Sequence, residues 1–362
     1  MHSDDQQSHD QQSHDQRIQD QETANAPARR ATLATVAKLS GYHVSTVSRV
    51  LNGSAVPGVR SASAATAEHI RQVAREVGYV PNAQAAALRR QRTRLLGVVM
   101  ARMADTVLAT IYEGIERAAA GYGFQTLVTN SWDDPVTRRE CVDVLLSHGV
   151  DAMILGDSPV DGGSLDVLTE HGLPFVLVNR RAADHPAITC DDYAGGRMAA
   201  EHLLELGHRR AAVLAGLPYA SNALERTQGF LDVYREAGHR IPRGRIVRTT
   251  FDTAGGRMGA ERLLRARSTP TAIFAVNDAA AIGVLGCLRD HRIEPGRELS
   301  VVGFNDIPLA AELTVPLTSV RSPMQTIGEQ SVHTLMRLMG GEPVQSTLLR
   351  PTLVARASSA PR

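Results

Sequence analysis

Apolar residues recur along this chain with two different periods. Between Thr32 and Asn52 the spacing is helical and the runs are short. In LATVAKLS, the residues Leu33, Val36, Ala37 and Leu39 share a side, and from Val44 to Leu51 the residues Val47, Val50 and Leu51 do. Gly41 supplies a tight turn between the two runs, and Thr32 offers an N-cap oxygen to the first. A third helical stripe, Ile70, Val73, Ala74 and Val77, falls within 66–77, with Ser63 or Thr66 as its cap. From Leu95 the texture changes. Compact apolar runs at 95–100, 124–130, 152–156, 175–179, 211–216, 272–277 and 299–305 alternate with amphipathic helices over 107–121, 135–149, 195–207, 224–238, 255–266 and 278–292. That alternation predicts an α/β fold of parallel sheets flanked by helices. Two successive sets predict two lobes, with a ligand cleft beyond the carboxyl ends of the strands.

The polar side of the second short helix carries Ser45, Thr46, Ser48, Arg49 and Asn52, short hydrogen-bonding groups and one guanidinium. Such a pair fits a helix-turn-helix, whose second helix enters the DNA major groove. Any short helical hairpin with a polar outer face gives the same pattern. Charge sharpens the choice without deciding it. Residues 29–94 hold eleven Lys/Arg against two Glu, a net of +9, the footprint of a polyanion partner or simply a solvated basic face. Residues 1–28 hold six acids against one Arg, a net of −5, and contain the repeat DQQSHDQQSHD; this composition predicts a disordered acidic tail.

Cys141, Cys190 and Cys287 lie far apart and read as reduced thiols of a cytoplasmic protein. No apolar run is long enough to span a bilayer, and the N-terminus is the opposite of a secretory signal. There is no nucleophile elbow, phosphate-binding loop, metal-ligand spacing or dinucleotide fingerprint. The expectation is therefore a protein that is not an enzyme and takes no cofactor or metal.

TVSRVLNG at 46–53, followed by GYVPNAQAAALRRQRTRLLGVV at 78–99, resembles the lactose-repressor (LacI/GalR) family of bacterial transcription regulators, and the resemblance continues along nearly the whole chain after Arg30. It implies a small all-α helix-turn-helix headpiece at 29–80 and a hinge helix and linker at 81–94. A two-lobed periplasmic-binding-protein-like core would follow at 95–355, with crossovers near 190 and 318–323 and a tail at 356–362. Carried over position by position, Val44, Ser45 and Arg49 would read base edges, while Thr32, Thr46, Ser48 and Asn52 would hold phosphates or the fold. Asn82 and Leu88 of the hinge complete the DNA-contacting set. Leu88 would wedge into the minor groove, its alternative being a headpiece core residue. Two departures blur the start of the recognition helix: His43 replaces the usual capping Ser, and Tyr42 a small apolar residue. The loop at 53–63 is also about five residues longer than usual, an insertion that loops tolerate.

The same resemblance places Asn179, Arg180, Arg226, Phe251, Asn277 and Asn305 in an effector pocket. Amides, a guanidinium and an aromatic face suit a neutral polyhydroxy ligand such as a sugar. Asn277, Asp278 and Asn305 could equally cap helices after strands, and Asp278 reads as structural. Relatives carry Asp where Asn179 and Asn305 stand. Their loss predicts a more positive pocket, which with Arg102 and the other arginines admits a sugar acid or sugar phosphate. Thr106-Val107-Leu108 replaces an aromatic pair, predicting one aliphatic wall, and Ala220 argues against a purine corepressor. The reading is a ligand-responsive repressor binding a pseudo-palindromic operator in double-stranded DNA as a homodimer or tetramer. The alternative is a soluble sugar receptor or transport component without DNA function.

Overall fold

The structure is a computed structural model that describes residues 31–52, 62–79, 93–163 and 165–362. Asn82, Leu88, the rest of the expected hinge and most of the longer loop lie outside the described residues. The chain divides into two compact units, Met1–Gln91 and Arg92–Arg362.

The first unit is built on three helices, α1 (Leu33–Ser40), α2 (Val44–Asn52) and α3 (Ala64–Glu76). Thr32 starts α1 with a reciprocal cap: its Oγ1 accepts from the Thr35 N–H at 3.2 Å, and Thr35 Oγ1 accepts from the Thr32 N–H at 3.3 Å. Gly41, at φ 75°, ends the helix in the left-handed conformation that only glycine adopts without steric cost. Ser63, rather than Thr66, caps α3. Val36, Val47 and Ile70 are fully buried at the centre, with Ala37, Val73 and Ala74 around them. Leu39 departs from expectation: it is 58% exposed, while Ser40 turns inward. The inward stripe follows positions 33, 36, 37 and 40, the i, i+3, i+4, i+7 set, and Leu39 falls outside it.

The second unit holds two six-stranded sheets. The first lobe contains β1 (Leu95–Met100), α4 (Thr106–Gly121), β2 (Gln125–Asn130), α5 (Pro135–Ser147), β3 (Ala152–Leu155), α6 (Asp166–Glu170), β4 (Phe175–Val178) and β5 (Ala187–Cys190). The chain then crosses to the second lobe: α7 (Asp192–Glu205), β6 (Ala211–Leu214), α8 (Ser221–Glu236), β7 (Ile246–Val247), α9 (Thr253–Leu264), β8 (Ala272–Ala275), α10 (Asp278–Asp290), β9 (Ser300–Asn305), α11 (Leu309–Glu312) and β10 (Thr318–Arg321). It returns with α12 (Met324–Met339) and β11 (Thr347–Leu349), and crosses a third time, unanticipated, into β12 (Thr352–Val354). The strand orders are β11-β5-β4-β3-β1-β2 and β12-β10-β9-β8-β6-β7, parallel throughout except β12, which runs antiparallel to β10. Each order reverses direction after its first strand, leaving a crevice at the carboxyl ends of β1/β3 and β6/β8.

Residues 356–362, expected as a tail, are part of the second lobe. Ser358 is fully buried, its carbonyl accepts from the Val301 N–H at 2.7 Å, and the Arg362 N–H donates to the Leu206 carbonyl at 2.9 Å. The backbone of the segment finds partners on β9 and β10 that solvent would otherwise supply. Helices pair through glycines. A Cβ on Gly196 of α7 would stand 2.1 Å from the Arg226 carbonyl of α8, and one on Gly229 of α8 would stand 2.1 Å from the Tyr193 carbonyl of α7. Gly256 and Gly283 do the same between α9 and α10, and Gly114 and Gly328 between α4 and α12. These glycines are close-packing contacts between helices.

Candidate DNA-binding surface and effector cleft

On the headpiece, α2 presents Val44, 42% exposed, and Ser45 to solvent, with Thr46 and Arg49 half-buried beside them. Arg49 lies along its own helix: Nε donates to the Ser45 carbonyl at 3.1 Å, and Nη2 is 3.5 Å from Thr46 Oγ1. Ser48 is buried on the core side, so of its two expected roles, phosphate or fold, its position fits the second. Thr32 is engaged in the α1 cap. The Asn52 side chain lies outside the described set.

The cleft of the second unit is lined from seven strand ends: Ala101, Arg102 and Ala104–Leu108 after β1, Trp132 and Asp133 after β2, Asn179 and Arg180 after β4, Leu217, Tyr219, Asn222 and Arg226 after β6, Thr250–Thr253 after β7, Asn277–Ala279 after β8, and Asn305 with Ile307 after β9. It encloses about 500 Å³. All six expected effector residues line it. Their side chains are less free than the sequence suggested. Arg226 is buried: Nε donates to Asp192 Oδ1 at 2.7 Å, Nη1 donates to the Val276 carbonyl at 2.7 Å, and the guanidinium lies 3.7 Å above the Phe304 ring. Arg180 is clamped bidentately by Asp133 at 2.6 and 3.0 Å and donates to the Asp157 carbonyl at 3.2 Å. Asn277 caps α10 through Oδ1 and donates Nδ2 to the Phe251 carbonyl at 2.7 Å, so the capping alternative describes it fully. Asp278 is structural, as read: it accepts from the Ser319 hydroxyl at 2.6 Å and the Ile307 N–H at 2.8 Å.

Asn305 Oδ1 and Arg180 Nε have no hydrogen-bond partner among the described residues, but both atoms are shut off from the cleft as well as from solvent. Asn179 accepts from Asn222 Nδ2 at 3.2 Å. Asn179 and Asn305 also stand at φ 62° and 107°. Asn and Asp both enter this region more readily than most residues, which gives a backbone reason for an Asx residue at both strand ends.

The expected excess of positive charge is not found. Arg180 and Arg226 are each matched by a carboxylate, and Asp105 and Asp252 also line the cleft. Burial pushes the Asp105 carboxyl up, and it pushes Asp192 up to about 6 despite the guanidinium beside it. Asp252 is held below the usual carboxylate range by the Gly255 N–H it accepts from as the cap of α9. Arg102 lines the cleft without a salt bridge among the described residues, its guanidinium 5.6 Å from the Trp132 ring. Val107 and Leu108 do form an aliphatic wall, yet Trp132 and Tyr219 add aromatic surface the sequence reading did not count. Trp132 and Asp133 sit consecutively at φ 57° and 59°, backbone strain of about 1–3 kcal/mol each that aims one at the cleft and the other at Arg180. Extending the strand-end rule to the run ending at Asn130 would have found both.

Residues 32–82 match "Bacterial regulatory proteins, lacI family", and residues 200–359 match a periplasmic binding protein-like domain. The transcriptional regulator DegA of Bacillus subtilis is 32% identical over 92% of this chain and 99% of its own. GalR of Escherichia coli is 30% identical over 91% and 95%. Among solved structures, the lac repressor dimer bound to operator and the anti-inducer ONPF is 25% identical, with a TM-score of 0.83 over 92% of this chain and 100% of that one. The CelR–cellobiose complex is 29% identical, with a TM-score of 0.69 over 91% and 100%. A receptor without DNA function is thereby disfavoured, and no helix among the described residues is long and apolar enough to cross a membrane. With a capped three-helix headpiece at one end and a strand-end cleft in the other unit, this chain belongs to the lacI family of bacterial regulatory proteins and is a ligand-responsive, DNA-binding transcriptional regulator, not an enzyme.

Proposed function

We propose that the chain is a repressor that binds a pseudo-palindromic operator as a homodimer and is controlled by a neutral, polyhydroxylated effector of the sugar class held in the cleft. One observation carries the ligand chemistry: the cleft is lined by the half-buried amide of Asn179 and the rings of Phe251, Tyr219 and Trp132, while its two buried arginines, Arg180 and Arg226, are already matched by carboxylates. An amide both donates to and accepts from hydroxyls, and ring faces pack on the C–H faces of a sugar. A net negative charge on the ligand would meet Asp105 and Asp252, so a sugar acid or phosphate fits less well than the neutral sugar. Phe251, Tyr219 and Trp132 offer ring faces to C–H surfaces. The relatives whose names mention sugars or their complexes, such as the ribose operon repressors and the cellobiose complex, support the class.

The DNA side would be read by Val44, Ser45 and Arg49 on α2, with Leu88 as the minor-groove wedge and Asn82 beside it. A hinge run of about eight residues is too short to be a stable helix alone, so it would order only against its twin and DNA. An effector that separates the hinges then lowers operator affinity, and operator lowers effector affinity by the same factor. The test is a thermal-shift screen of the intact protein against neutral sugars, sugar acids and sugar phosphates, with each hit added to the protein–operator complex. A neutral sugar that stabilises the protein and releases DNA is the expected result. A hit confined to the acids would overturn the ligand class, and a hit that tightens DNA binding would make the ligand a corepressor. In Trp132→Ala, affinity for that sugar should fall about five- to tenfold while unliganded operator affinity stays the same.

A further inference from the structure

The residue that opens the recognition helix is a histidine, and its ring caps the helix. The backbone N–H of Ser45 donates to His43 Nδ1 at 3.3 Å, and Ser45 Oγ lies 2.8 Å from the same nitrogen. The His43 carbonyl accepts from the N–H groups of Thr46 and Val47 at 2.9 and 3.1 Å, the first intrahelical bonds of α2. His43 is thus the N-cap in both backbone and side chain, doing with an imidazole what Ser, Thr or Asp usually does.

The backbone contact selects one direction for the side-chain bond, whose sense otherwise follows the ring tautomer. An amide N–H can only donate, so Nδ1 presents its lone pair and the neutral ring carries its proton on Nε2. With Nδ1 an acceptor, the contact with Ser45 Oγ has one sense: the hydroxyl donates. A serine hydroxyl has a single proton, and here it points back at the histidine. What Oγ turns outward is lone pairs only.

We infer that His43 is a specificity-positioning residue that converts Ser45 from an adaptable donor–acceptor into an acceptor. This inference rests on the reading that Ser45 faces base edges. In the major groove, adenine N6 and cytosine N4 present amino groups that donate, whereas guanine N7 and O6 and thymine O4 only accept. Ser45 held this way favours adenine or cytosine on the strand it contacts and disfavours guanine or thymine. A serine with a free hydroxyl would accept all four. The outward Nε2–H of His43 is meanwhile a donor suited to a phosphate oxygen, which would anchor the cap to the DNA backbone.

The experiment is selection of duplexes from a randomised library by the intact protein, with wild type, Ser45→Ala, His43→Ala and His43→Asn run in parallel. Wild type should show one position per half-site where adenine or cytosine is preferred over guanine or thymine by on the order of tenfold. Ser45→Ala and His43→Ala should both flatten that position. His43→Asn, which keeps an acceptor at the cap, should preserve the preference; general loss of binding from a frayed helix would instead lower all sites together. Should His43→Ala leave intact the preference that Ser45→Ala removes, or should wild type select guanine or thymine there, the inference is wrong. If Ser45→Ala alters no position, the base-reading role of Ser45 fails and the inference with it, while enrichment of any site by wild type still reports DNA binding. Nitrogen-15 NMR of the intact protein gives a second readout: a proton found on Nδ1 of neutral His43 overturns the proposal directly.

Discussion

The headpiece and the cleft hold the residues proposed to work in them in opposite ways. On α2, Val44, Ser45 and Arg49 lie within one and a half helical turns, partly or fully in solvent, and their mutual contacts are with their own helix. In the cleft, Arg180 and Arg226 are buried and come from different strand ends, and each is locked by a carboxylate from a third segment, Asp133 or Asp192. The first surface is local, its side chains held only by bonds within their own helix and its cap. The second is a non-local scaffold in which most polar groups already have partners, so what remains free defines the ligand. A surface proposed to meet a long polyanion can leave its side chains exposed, whereas a cleft proposed to signal through lobe geometry needs groups whose displacement is felt elsewhere.

The largest expected effect breaks the scaffold side. Arg226→Ala leaves Asp192 buried without its counter-ion, a loss of about 3–5 kcal/mol, which in a unit of this size lowers the thermal midpoint by about 10 °C. Calorimetry of the full chain should show this in the core transition, with the headpiece helices melting as before. A midpoint within a degree or two of wild type would mean that Arg226 is less constrained than described.

Next comes the headpiece side. Arg49→Ala should weaken operator binding by about tenfold to a hundredfold, as for the loss of one bidentate base contact, and leave the thermal midpoint of the core and the affinity for effector unchanged. Titrations at several salt concentrations check it. A uniform loss across all sequences, with a shallower salt slope, would move Arg49 from base reading to phosphate contact.

The effect spread over the widest range of conditions is a pH dependence confined to the core. Burial pushes the Asp278 carboxyl up to about 7 from an ordinary 3.8, even though Ser319 and Ile307 donate to it. The folded state therefore holds this proton more tightly than the unfolded chain. The resulting stabilisation is complete below about pH 4 and is lost as pH rises through 7. Denaturant midpoints should decline across that window, and Asp278→Asn should flatten the decline. An equally steep fall in the variant would assign it to other carboxyls, Asp192 first.

Much of this molecule was legible in its residues. The helical stripes of the headpiece, the alternation of strands and helices and the position of the cleft at strand ends depend on short-range periodicity and on chain direction, and both are written locally. Thr32 as a cap, Gly41 as a tight turn and Asp278 as a structural carboxylate followed from residue type and place. Tertiary structure decided the rest, because it depended on which distant groups meet. That Asp133 neutralises Arg180, that Asp192 neutralises Arg226, that Trp132 supplies the ring missing from Thr106–Leu108, that residues 356–362 complete the second lobe, and that Gly196 and Gly229 let two helix backbones touch are pairings across tens to hundreds of residues. A sequence states which charges and shapes are available; only the folded chain states which of them cancel.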